Sequence, residues 1–174
     1  RYFERYLDAD DVPEALRPES WKRFETGRKG CHGCPVACKN VYQIPSGPRR
    51  GETGAALEFE AIFCMGVNAG ITDPVAVLEY GNLADLYGMD VIGLGNAIAF
   101  AKKLFELGII TEKDAGASLA WTDAAAQADL IHRTALRDGF GSLVAEGMFN
   151  LARILGPSAM QYCYHVKGMC RGPY

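Results

Sequence analysis

The sequence predicts an all-α chain, a multihelical domain with a cysteine-rich, metal-binding loop near its N-terminal part. Three observations lead there. From Leu57 onward, helix start signals and helix-stopping glycines follow one another with little strand-like sequence between them. Before Leu57 the chain is broken by Pro13, Pro18 and a polar segment from Ile44 to Gly54 (IPSGPRRGETG). Within that broken region lies Cys31-His32-Gly33-Cys34-Pro35-Val36-Ala37-Cys38, a C-x2-C-x3-C cluster of the kind that gathers thiolates on a metal.

The elements follow in order. Residues 1–28 carry short helical signals interrupted by the prolines. The Ile44–Gly54 stretch is too polar and glycine-rich for regular structure and reads as a cofactor-facing loop. Thr72-Asp73-Pro74 opens a helix, with Asp73 as N-cap and Pro74 in the first turn. Val75, Leu78, Leu83 and Leu86 supply its apolar stripe and Gly88 closes it. A second helix is expected from Gly95 to Leu107, closed by Gly108. A third runs from Thr122-Asp123 to Gly139, and a fourth from Ser142 to Leu155, ended by Gly156-Pro157. Only Tyr162 to Val166 has a strand-like run.

The chain has 174 residues, enough for one well-filled core. Hydrophobic residues make up 49% and charged residues 22%, as in an ordinary soluble domain. The net charge of −3 argues against nucleic acid and anionic membranes as partners. No apolar run approaches the ~18 residues that span a bilayer. Three of the six cysteines crowd into a motif too tight for independent disulfides. The setting expected from this is reducing, anaerobic and cytoplasmic. The chain begins at Arg1 without a methionine, which is expected of a processed, cut or partial chain.

Several chemistries compete for the cysteine cluster. Radical-SAM enzymes space their thiols in the reverse order, and bacterial ferredoxins are one residue shorter in the second gap. Zinc ribbons need two separated pairs. Structural zinc with His32 as a fourth ligand strains geometry, because His32 adjoins Cys31. An iron–sulfur cluster and a zinc site both remain open. Leu57-Glu58-Phe59-Glu60 places two carboxylates two residues apart; on a helix they diverge by about 200°, so only one faces a site. Apolar neighbours on both sides would half-bury it, and burial suits a carboxyl group to proton transfer. Asp85-Leu86-Tyr87-Gly88-Met89-Asp90 reads as a helix end followed by a turn. His132, His165, Cys64, Cys163 and Cys170 carry no role on sequence alone.

Taken in order, these segments resemble the tungsten-containing aldehyde:ferredoxin oxidoreductase family. Cys31 to Asn40 is similar to its cluster-binding segment, Glu58-Phe59-Glu60 to its E-Y-E, and Asn68 to Asp73 to its N-x-G-I-x-D. Asp85 to Asp90 resembles its D-x-x-G-L-D pterin motif, with Met89 for Leu, and Gly93-Leu94-Gly95-Asn96 its S-T-G-N. Asp138 to Gly147 and His165-Val166-Lys167-Gly168-Met169 resemble two further segments, the last being H-V-K-G-L. The resemblance implies that Cys31, Cys34 and Cys38 are ligands of a 4Fe-4S cluster. It implies that Asp85, Gly88, Met89 and Asp90 contact a tungsten (or molybdenum) bis-pterin, with Glu60 as the catalytic carboxylate. It implies aldehyde oxidation to a carboxylate with electrons passing to ferredoxin or another electron-transfer protein. Glu79 matches a position that can hold a bridging metal at a homodimer interface, with His132 as its partner. The chain then reads as a single helical domain over 1–174, a fragment whose N-terminal pterin domain and C-terminal domain are absent. Cys170 stands where the family has Glu, which keeps open the tungsten subunit of a benzoyl-CoA-type reductase. A non-enzymatic, zinc-stabilised helical module is the remaining alternative.

Overall fold

Why the chain folds around one helix is legible at Asp90. Its carboxylate accepts from the backbone N–H groups of Ile92 (3.2 Å) and Gly93 (2.7 Å), satisfying donors that a helix start leaves orphaned. Helix α4 therefore starts at Val91 and runs to Glu106, four residues earlier than its glycines suggested. Two N-terminal glycines cost roughly 1 kcal/mol each in helix propensity, and the cap plus burial outweigh them. This computed structural model describes residues 2–4, 13–54 and 58–172.

Around α4 are wrapped α2 (Phe59–Ile62), α3 (Pro74–Leu86), α6 (Ala124–Leu136), α7 (Gly141–Val144) and α8 (Gly147–Leu155). The short α1 (Pro18–Trp21), α5 (Glu112–Ala115) and α9 (Pro157–Met160) complete the helical part. Ile98, Phe100 and Leu104 on α4 are fully buried and meet Val77, Leu130, Ile131 and Leu151. Asp73 caps α3 by accepting from the Val75 N–H at 3.0 Å, and Asp123 caps α6 through the Ala126 N–H at 2.9 Å, as expected from the sequence. Helix α6 stops at Leu136, three residues before Gly139, because Arg137 takes the left-handed cap (φ 53°). The single helix expected over 142–155 is two: Gly147, at φ 80°, turns the chain between α7 and α8.

A buried polar hub ties the bundle together. Lys102 of α4 donates to the Ala69 and Trp121 carbonyls (3.0 and 3.3 Å) and to Gln127 Oε1 of α6 (2.7 Å). Gln127 in turn donates to the Met65 carbonyl at 2.8 Å, so buried donors and acceptors find each other.

The protein is mostly helical, and two small antiparallel hairpins correct the expected absence of sheet. Strand β1 (Glu25–Lys29) pairs with β2 (Lys39–Tyr42), in register Arg28↔Asn40 and Lys29↔Lys39. Of the short helical signals expected over residues 1–28, those after Phe24 give way to strand, because Trp21, Phe24 and Tyr42 bury together at the hairpin base. Strand β3 (His165–Val166) pairs with β4 (Met169–Cys170) through the two-residue turn Lys167-Gly168, both at positive φ (52° and 85°), a type I′ geometry. Among the described residues no helix is long and apolar enough to cross a membrane.

Candidate functional site

The cysteine loop is the tip of the β1–β2 hairpin. Cys31, Cys34 and Cys38 are all free and exposed. The Cys34 N–H donates to the Cys31 carbonyl and the Cys38 N–H to the Val36 carbonyl, both at 2.9 Å, so two tight turns shape the loop. Among the described residues no three His, Cys, Asp or Glu side chains stand close enough to share a metal ion. Three accessible thiols on one short loop still fit, as a donor set, three of the four ligands of a cubane cluster. The loop as placed has not drawn them onto a common point.

A second centre forms at the head of α4, which packs against α2 and the β3–β4 hairpin. Glu58 is exposed and pairs with Lys39 at 3.8 Å, whereas Glu60 is half-buried; Glu58 is the extended N-cap residue before α2, so the turn into the helix, and not helical spacing, parts the two carboxylates. Of the expected flanking residues, Ala61 is buried and Ile62 and Phe63 are half-buried. Ala55, Ala56 and Leu57 lie outside the described residues. One turn after Glu60 the helix widens into a π-helical turn, Phe63–Val67, which places Cys64 in the core. Burial first, then the charges of Cys170, Asp90 and Glu60, push the Cys64 thiol up to about 12. Cys64 itself packs against the head of α4, with Gly95 against its backbone and Asn96 Nδ2 4.0 Å from its sulfur.

Beside this group a cleft of about 150 Å³ opens between Gly93 of α4, Glu146, Gly147 and Phe149 at the head of α8, and Gly168 and Cys170 of the hairpin. His165 lies directly across from Cys170 in the strand pair, so both side chains share one face. Its ring stacks on Phe149 at 4.5 Å, and its Nδ1 accepts from the Gly168 N–H at 3.2 Å. That bond leaves the proton of the neutral ring on Nε2. The ring thus packs against Phe149, one of the residues that line the cleft. Sequence reasoning gave His165 no role; the signal that could have found it is the Lys-Gly turn that folds it back toward Cys170.

The Asp85–Asp90 segment joins α3 to α4. Gly88 sits at φ 67°, and the Met89 N–H returns to the Ala84 carbonyl at 2.8 Å, as in a Schellman-type helix end. A Cβ on Gly88 would meet nothing within 4 Å, and Asp85, Gly88 and Asp90 are exposed, with Met89 half-buried. This bare backbone turn leaves room for a large ligand to lie against it. The carboxylate of Asp90 is already engaged in capping α4. Glu79 lies under the 44–54 loop against Gly47, with its Oε1 buried, and burial holds its carboxyl above the usual range. His132 instead meets the Tyr87 hydroxyl at 2.7 Å. The structure thus gives Glu79 and His132 different partners.

Comparison with known proteins places these features. Residues 1–174 match the family described as "Aldehyde ferredoxin oxidoreductase, domains 2 & 3". The aliphatic sulfonate oxidoreductase WOR-like subunit of Pyrococcus furiosus is 35% identical over 147 residues, covering 82% of this chain and 24% of that protein. The tungsten-containing aldehyde ferredoxin oxidoreductase of Pyrococcus horikoshii is 38% identical over 134 residues, covering 75% of this chain and 21% of that protein. The fold is also that of a chain in the BamBC active-site complex of benzoyl coenzyme A reductase with 1,5-dienoyl-CoA. That likeness has a TM-score of 0.78 at 22% identity and covers 97% of this chain and 25% of the other. The chain spans about a quarter of the length of these relatives. With the motifs in order and the whole chain matched, it belongs to the aldehyde ferredoxin oxidoreductase family.

Proposed function

We propose that this chain contributes one wall of the active site and three cluster ligands to a tungsten- or molybdenum-pterin oxidoreductase. The enzyme oxidises aldehydes to carboxylates and hands electrons to ferredoxin. The observation that carries the reading is the half-buried Glu60, one turn before the buried Cys64 and on a helix packed against α4, at whose head opens the cleft lined by Gly93, Phe149 and Cys170. Cys31, Cys34 and Cys38 would hold the 4Fe-4S cluster, and Asp85, Gly88, Met89 and Asp90 would face the pterin. When bound, the metal and pterin take up the two electrons of the oxidation and the cluster relays them.

The chain's own residues do the rest. Glu60 holds and moves a proton at its carboxylate oxygens. Its half-buried position at the start of α2 shields it from bulk water while leaving it open to a ligand. His165 holds its place beside the cleft by packing on Phe149 and accepting from the Gly168 N–H. Phe149 and the Lys167-Gly168 turn narrow access for water. Because Asp90 caps α4, its position is fixed relative to the helix, and any ligand group at the Asp85–Asp90 turn meets a rigid backbone.

In the full-length enzyme, Glu60→Gln is expected to lower aldehyde-dependent dye reduction by at least about 10²-fold with metal and pterin content unchanged. Activity within threefold of wild type would remove Glu60 from the mechanism. A second reading is favoured by the likeness to the benzoyl-CoA reductase complex and by Cys170 in place of Glu: reduction of an aromatic thioester by the same architecture. A panel pairing aldehydes with aryl-CoA thioesters separates the two. Zinc at one per chain without acid-labile sulfide would instead favour a structural module.

A further inference from the structure

We propose that Asn96 is a positioning residue that fixes the β3–β4 hairpin, with His165 and Cys170, onto the helical segment that carries Glu60. Asn96 is fully buried on the first turns of α4. Its Nδ2 donates to the Arg171 carbonyl, just past β4, at 3.0 Å and to the Ile92 carbonyl of its own helix at 3.0 Å. Its Oδ1 accepts from Asn68 Nδ2 at 3.1 Å, and Asn68, itself buried, ends the π-helical turn that follows Glu60. Cys64 Sγ lies 4.0 Å from the same Nδ2. One carboxamide thus touches three segments: the hairpin's exit, the head of α4, and the turn that sets Cys64 and Glu60.

The neighbouring residue makes this reach possible. A Cβ on Gly95 would stand 2.7 Å from the backbone of Cys64, so α4 and the π-helical turn approach as closely as backbones can. A two-residue strand pair has few ladder bonds of its own. Its placement therefore depends on outside anchors, and the bond to Arg171 is one made by a side chain with no freedom to move. A buried amide whose donors and acceptor are all engaged specifies one arrangement, because any other leaves desolvated polar atoms unpaired. The consequence is that the distance from His165 to Glu60 is set by Asn96.

The functional meaning rests on the reading above; the structural tie does not. In the full-length enzyme, Asn96→Asp keeps the acceptor facing Asn68 and, when ionised, loses both donations. Hydrogen exchange is followed in peptides covering residues 163–172 and in α6, alongside kcat and KM with a dye acceptor. The hairpin amides are expected to exchange at least about tenfold faster with α6 unchanged, and kcat to fall at least tenfold with KM within threefold. Asn68→Leu, which leaves the Arg171 bond in place, should keep hairpin exchange within twofold. Unchanged hairpin exchange in Asn96→Asp, or protection lost evenly across hairpin and α6, would overturn the tie. Loosened exchange with unaltered kcat would overturn the positioning role alone. If the Asp variant does not fold, Asn96→Ser gives the same readouts. A wild-type enzyme inactive on every substrate would sink the proposed function while the exchange result still decides the tie.

Discussion

Cys64 shows how a single side chain reports on its surroundings. Burial holds its thiol neutral to about 12, against an ordinary value of 9.0. The unfolded chain ionises at the lower value, so the folded state binds more protons between the two. The stabilising contribution is thus complete below pH 9 and is lost as pH rises toward 12. Melting temperatures measured from pH 8 to pH 10.5 should fall, and Cys64→Ala should make that fall shallower. An identical slope in the variant would mean that the alkaline loss comes from other buried groups, such as Cys163, whose thiol burial lifts to about 11. Glu60 is half-buried one helical turn before this neutral thiol.

Among elements, the crossing of α4 on the π-helical turn decides where the site lies. Gly95→Ala would drive a methyl group into the Cys64 backbone at 2.7 Å, where no flexible side chain can yield. Thermal unfolding is expected to show a loss of about 2–3 kcal/mol, the cost of overpacking a close contact. A loss below about 0.5 kcal/mol would show that the crossing relaxes freely. The cap at the head of α3 gives a smaller and independent measure. Asp73→Ala removes the bond to the Val75 N–H and should cost about 1 kcal/mol. The sequence made these caps readable because Asp before a helical run is a local signal. The early start of α4 was not readable, since its two glycines argue locally against helix and only burial against the core reverses them.

For the whole molecule, the base of the cysteine hairpin belongs to the core through Trp21, Phe24 and Tyr42, while the three thiols at its tip stand outside it. Replacing Cys31, Cys34 and Cys38 by Ser should abolish iron and acid-labile sulfide. The melting temperature of the helical body should move by less than about 3 °C, because the three thiols contribute nothing to the core. A larger drop would tie the loop to the fold. The chain by itself, about a quarter of the length of its relatives, should show no aldehyde-dependent dye reduction. Turnover by the chain alone would refute the view that the site is completed by other parts of a larger enzyme.

The sequence by itself determined the helical class, the caps of α3 and α6, the cysteine cluster and the family, because each is written in residues close together. It also implied that only one of Glu58 and Glu60 faces inward, although the structure makes Glu58 the extended N-cap of α2 and not a helical residue. Only the tertiary structure decided that β1 and β2 pair beneath the cysteines, which depends on Trp21 and Tyr42 meeting across twenty residues. Only it joined Asn96 to Arg171, 75 positions apart, and set Cys170, which lines the cleft, on the same strand face as His165. Local propensity acts over a few residues, whereas a site is built from buried polar groups that must find partners wherever the fold carries them.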